Sequence, residues 1–166
     1  MAESLSIPAT ASRSEQYSAL VRSLEHLLAG EDCRVANLAN VASALHMTFG
    51  WHWVGFYLLD EERDCLVLGP FQGPIACTRL YRGKGVCAAA WERAVTVHVP
   101  DVEAFPGHVA CSSLSRSEVV VPIRVGNHVV GVLDVDSERL ADFLPDDVAG
   151  LEAVVEVISQ RWIHWK

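Results

Sequence analysis

No apolar run in this chain approaches the roughly 20 residues that a helix needs to cross a bilayer, so a membrane span is not expected. The opening residues, MAESLSIPATASRSEQ, carry no basic segment leading into an apolar one, and a secretory signal is not expected either. Lysine and arginine are sparse and scattered: 13 basic residues leave a net charge of −8. That sign cannot neutralise phosphates, which argues against nucleic acid as a partner. None of the five cysteines forms a Cys-x-x-Cys pair. His108 and Cys111 are the only close nitrogen and sulfur donors, a spacing that suits structural zinc poorly, so no metal is expected. Gly83 and Gly85 lack the third glycine of a dinucleotide fingerprint. There is no internal repeat and no low-complexity linker.

What is present fits one domain. The chain has 166 residues and is 51% hydrophobic, enough to bury a core and too apolar for disorder. Residues 1–13 are polar and small and read as a flexible tail, with the folded domain over 14–166. An odd number of cysteines without an export signal points to the cytoplasm, where thiols are buried, metal-bound or catalytic.

Apolar positions at spacings of three and four predict a helix over 14–29, ended by Gly30. Asp32 is positioned to cap a second helix, with Val35, Leu38, Ala39, Val41, Ala42 and Leu45 inward and a stop near Gly50. The period then changes. Strands are expected over 51–59 and 65–68, joined by the polar turn 60–64, and a third over 75–80. Residues 86–93 form a short alanine-rich helix opened by Lys84 and Gly85. A short strand over 96–99 precedes an irregular stretch punctuated by Pro100, Pro106 and Gly107. The β-rich runs 118–125 and 128–136 join around Gly126-Asn127, a two-residue hairpin signal. A last helix starts at Pro145 and Asp146, its stripe running from Val148 through Leu151, Val154, Val155 and Ile158 to Trp162. Hairpin links imply a mainly antiparallel sheet of about six strands with helices packed on it, an α+β domain.

Residues 77–111 concentrate the reactive groups. Cys87 lies in the first turn of the short helix, and Cys111 precedes the serine turn Ser112-Ser113. Helix N–H groups at either place would favour a thiolate. Cys77 sits at a strand edge. From spacing alone, three buried structural cysteines fit as well as three reactive ones. The carboxylates say more. Asp134 and Asp136 are two apart on a strand and project to one face, while Leu133 and Val135 point the other way into the core. Paired carboxylates raise one another's pKa, so one can stay protonated near neutrality; a solvated strand end is the alternative. Glu118 begins the neighbouring apolar run. Trp53 and Tyr57 share a strand face, either as core or as an aromatic wall that, beside acids, can hold a small cation.

Six motifs occur together: W-V-G-F-Y-L at 53–58, G-P-F-Q-G-P at 69–74, A-C-T-R at 76–79, G-K-G-V-C at 83–87, the serine-rich run 108–118 from His108 to Glu118, and L-D-V-D-S at 133–137. In this the chain resembles the free methionine-R-sulfoxide reductases, which are GAF-domain enzymes, over residues 17–166. The resemblance implies a single GAF fold in which Cys111 is the nucleophile, Cys77 the main resolving thiol and Cys87 an auxiliary one. It assigns Glu118, Asp134 and Asp136 to the substrate ammonium and to sulfoxide protonation, and Trp53 and Tyr57 to the methyl-sulfur end. It further implies reduction of free L-methionine-(R)-S-oxide in the cytoplasm, no bound cofactor, and thioredoxin as external reductant, with a homodimer left open. The preference for the R epimer and the order of the two resolving thiols rest on the resemblance alone. A GAF sensor module with structural or redox-sensing cysteines, and a zinc protein, are the competing readings.

Overall fold

The computed structural model describes residues 7–108 and 113–166. Its frame is a six-stranded antiparallel sheet of β1 (Trp53–Asp60), β2 (Cys65–Gln72), β3 (Arg79–Tyr81), β4 (Val97–Val99), β5 (Ser117–Val125) and β6 (His128–Ser137). The order across the sheet is β3-β2-β1-β6-β5-β4. Three longer helices, α1 (Arg13–Leu27), α2 (Arg34–Phe49) and α4 (Pro145–Arg161), serve one face, and the short α3 (Gly85–Arg93) serves the other.

The central strands β1, β5 and β6 therefore bury both faces. Phe56, Val119, Val121, Leu133 and Val135 join the core shared with α1, α2 and α4. Trp53, Tyr57, Val120 and Val132 join a second, smaller core with Val86, Cys87, Ala90 and Trp91 of α3. The connection from β3 at one edge to β4 at the other runs through α3, which is laid across β5 and β6 on the way. That crossing decides where the site lies.

The helices begin and end for local reasons that partly differ from expectation. Ser12 caps α1 in a reciprocal box with Glu15. Gly30 does not end this helix. Leu28 closes it in right-handed geometry and Ala29 N–H donates to the His26 carbonyl, so no left-handed residue is required. Asp32 does not cap α2; its carboxylate pairs with Lys166, and Cys33 holds the cap position without a side-chain bond. Val35 points outward at 63% exposed. Asn37 turns inward instead, where its Nδ2 donates to the Glu31 carbonyl. Gly50 does end α2, in the left-handed conformation. The final helix follows expectation, with Pro145 in its first turn. Ile7 also packs against the main core, inside the segment read from sequence as tail.

The hairpin of β5 and β6 carries an irregularity that matters below. Val125 pairs with His128 and Arg124 with Val129, but Ile123 pairs with Gly131, leaving Val130 as an extra residue. This β-bulge shifts the register by one for the rest of the ladder.

Candidate active site

The central strand β6 sets the geometry. Asp136 is opposite Trp53 on β1 and opposite Glu118 on β5, so the three form one row across the sheet. One pleat further on, Asp134 is opposite Gly55 and Val120. Directly opposed residues share a face. Glu118, Asp134, Asp136, Trp53 and Tyr57 all point to the side covered by α3, as predicted for the two aspartates and the two aromatics.

Gly55 makes room for the aromatics. A Cβ there would come within 2.5 Å of the Trp53 ring and 2.4 Å of Phe71. With glycine, the indole lies across the strand. It is stacked on Phe71 at 5.3 Å and on Tyr57 at 5.9 Å between ring centroids. Trp53 Nε1 donates to the Pro74 carbonyl and Tyr57 Oη to the Cys77 carbonyl at 2.9 Å. Both aromatics thus fix the loop that carries Cys77 while their faces line the pocket. Burial and the adjacent acids keep the Tyr57 hydroxyl protonated, so it remains a donor.

The pocket and its mouth take in about 530 Å³ of space unfilled by protein, open solvent included. Its floor is the acid cluster with Cys87, its wall Trp53 and Tyr57, and its rim Ile75, Lys84 and His108. Glu118 and Asp134 are each 6% exposed. Burial pushes Asp134 up to about 6, held there against a larger rise by hydrogen bonds from Cys87 and Glu118. Glu118 and Asp136 go well above the usual carboxylate range, first through burial and then through the charge of Asp134. Asp134 is accordingly the first of the three to ionise. Its Oδ1 is buried without a hydrogen-bond partner among the described residues. A buried carboxylate oxygen left unpaired costs free energy, and a ligand donor would recover it.

Two further groups belong here that the sequence did not single out as site residues. Ser115 hydrogen-bonds Asp136. His108, weighed from sequence only as a zinc donor, places Nε2 3.8 Å from Glu118 Oε2, and its own burial favours the neutral ring. A serine turn before an acidic strand start was the visible signal for the first; nothing local marks the second.

The cysteines divide sharply. Cys77 is disulfide-bonded, whereas Cys33, Cys65 and Cys87 are free. Cys111 lies outside the described residues, as do the neighbouring positions 109, 110 and 112. Cys87 corrects an expectation. It does sit in the first turn of α3, but it is 3% exposed and its Sγ donates to Asp134 Oδ2 at 3.3 Å. A helix terminus favours a thiolate by about 1 kcal/mol, rarely 2. Full burial shifts a thiol by several pKa units the other way. Desolvation wins, with the charges of Asp134 and Glu118 adding to it, and the Cys87 thiol is raised well above its ordinary value.

A sequence profile described as GAF domain matches residues 38–161. GAF domain-containing protein A of Dictyostelium discoideum is 52% identical over 159 residues, covering 96% of this chain and 99% of that one. The free methionine-R-sulfoxide reductase of Escherichia coli is 43% identical over 149 residues, covering 89% of each chain. The crystal structure of free methionine-R-sulfoxide reductase from Neisseria meningitidis in complex with its substrate superposes with a TM-score of 0.93 at 46% identity, covering 97% of this chain and 96% of that one. With the single antiparallel sheet, its four helices and these relatives in hand, the chain belongs to the GAF-domain family of free methionine-R-sulfoxide reductases.

Proposed function

We propose that the protein reduces free L-methionine-(R)-S-oxide to L-methionine. The observation that carries this reading is the buried acid cluster, with an unpaired carboxylate oxygen on Asp134, facing an aromatic wall inside one small pocket. An amino acid with a free ammonium satisfies the acids, and its methylsulfinyl end packs on Trp53 and Tyr57. In a peptide the ammonium is replaced by an amide, which leaves buried carboxylates uncompensated and discriminates strongly against that substrate.

The chemistry follows from the residue types. The Cys111 thiolate attacks the sulfoxide sulfur while an acid of the cluster protonates the departing oxygen. Glu118 and Asp136, raised well above the usual carboxylate range, are the natural proton donors, and Asp134 is the natural counter-ion to the ammonium. Oxygen passes to Cys111 as a sulfenic acid and methionine leaves. The Cys77 thiol then displaces water from that sulfenic acid to form a disulfide. A dithiol such as thioredoxin reopens it by exchange, taking up the oxidising equivalent. The disulfide at Cys77 supports its part as resolver. Cys87, protonated and bonded to Asp134, is the slower second resolver. A cytoplasmic setting suits this cycle, because the disulfide must be reduced each turn.

A single-turnover experiment tests the relay. Fully reduced protein mixed with one equivalent of the free R-sulfoxide and no reductant should release one methionine per chain and lose two thiols. Peptide mapping should find Cys77 and Cys111 joined. Methionine release with Cys77 still a free thiol would overturn its assignment as the main resolver.

A further inference from the structure

We propose that residues 73–76, the loop leading to Cys77, are the docking surface for a protein dithiol that reopens the disulfide at this cysteine, on the reading above that this disulfide forms in every turnover. The loop joins β2 to β3, and β3 is the outermost strand on its side of the sheet, so no further strand covers that edge. No charged side chain occurs from Cys65 to Thr78. Pro74 is exposed, and Ile75, at 92%, is the most exposed large apolar side chain among the described residues. A lone surface isoleucine is ordinary. This one stands two residues from a half-buried sulfur that must meet a second molecule to be reduced.

The loop is held so that it presents this face. Trp53 Nε1 donates to the Pro74 carbonyl at 3.1 Å and Tyr57 Oη to the Cys77 carbonyl, which pins both ends to β1. Gly73 turns the chain at a φ of 131°, where a Cβ would stand 2.7 Å from the His52 carbonyl oxygen. Between the pins, Ile75 and Ala76 use neither their N–H nor their C=O groups in any hydrogen bond among the described residues. A fixed loop with open main-chain groups and an apolar tip suits a protein, which can pair its own backbone there and cover the isoleucine at little ordering cost. A small dithiol can do neither. In the exchange, a thiolate of the partner attacks Cys77 Sγ, the S–S bond breaks, and the cysteine paired with Cys77 leaves as a thiolate and takes up a proton. The partner's second thiol then gives up its proton and displaces the Cys77 sulfur from the mixed disulfide. Two electrons have passed, and the partner departs oxidised from a reduced chain.

The test follows the disulfide itself and needs no sulfoxide. The full chain with the disulfide at Cys77 intact is mixed with reduced thioredoxin or with dithiothreitol, and quenched samples are alkylated and weighed by mass spectrometry. Ile75→Ser should lower the second-order rate with thioredoxin by at least about 10-fold, as for an apolar anchor at an interface. Disulfide reduction by dithiothreitol should not slow with it. Ile75→Leu, which keeps the apolar tip, should retain the thioredoxin rate. Val35→Ser, at an exposed position on α2, should change neither rate. Equal slowing with both reductants in Ile75→Ser, or slowing with neither, would overturn the docking surface. So would a parent disulfide that thioredoxin reduces no faster than dithiothreitol at equal thiol concentration. Absence of sulfoxide turnover with the Ile75 dependence intact counts against the proposed activity and not against the docking surface.

Discussion

Replacing Cys111 by serine should lower turnover of the free R-sulfoxide by on the order of 10⁴-fold, since hydroxyl cannot replace thiolate as the attacking group at a sulfoxide sulfur. The loss should fall on kcat, with binding of free methionine preserved, because the proposed ammonium and methyl contacts are made by other residues. The same substitution at Cys77 should spare the first turnover and slow the cycle at the sulfenic acid, which builds up while Cys87 resolves it and which a dimedone-type trap detects. Stopped-flow methionine release followed by steady-state rates separates the two steps. Equal steady-state rates in Cys111→Ser and the parent would remove Cys111 from the mechanism.

The second large effect concerns the acids and has opposite signs for stability and activity. Asp134 rises from 3.8 to about 6 on folding. The unfolded chain therefore loses this proton near pH 4 and the native chain near pH 6. Between those values the native state holds more protons, so stability falls as pH rises, and the cost is fully present above about pH 6. For Asp134 alone it is of the order of 3 kcal/mol at pH 7. Glu118 and Asp136, raised further, extend the decline to higher pH. Asp134→Asn should thus melt several degrees higher than the parent at pH 7.5, with the difference vanishing near pH 4. Its kcat/KM should fall by about 10²- to 10³-fold, as for removal of a preorganised charge at a reaction centre. A variant that is less stable at pH 7.5, or fully active, contradicts this account of the cluster. Pockets of this kind store strain that the substrate relieves.

How much of this was visible in the sequence depends on how local each signal is. The pairing of Asp134 with Asp136, and of Trp53 with Tyr57, follows from the period of two in a strand, and the structure keeps both pairs on one face. Their meeting with Glu118 does not follow. Continued at the register of its turn, where Val125 pairs with His128, the β5–β6 hairpin would set Glu118 against Val135, on the core face. The bulge at Val130 moves it one residue on, against Asp136. Gly131 beside Val130 is a local sign of a bulge but does not fix the register, so the third acid was placed only through family resemblance. Cys87 fails for a related reason. Its position in a helical first turn is local and legible, but its burial against β6 comes from α3 crossing between opposite sheet edges. Gly55 lay in plain view inside a strand, where glycine signals a close approach, and the approach is that of the Trp53 indole.

The claim that the pocket is built for a free amino acid with a sulfoxide side chain is tested most directly by coupled turnover. The assay follows NADPH consumption with thioredoxin and thioredoxin reductase, using the R and S epimers of methionine sulfoxide, each both free and within a blocked peptide. Turnover is expected of the free R epimer alone, with the peptide-bound form at least about 10³-fold slower, as follows when buried polar groups lose their partner. Comparable rates on free and peptide-bound sulfoxide would contradict it.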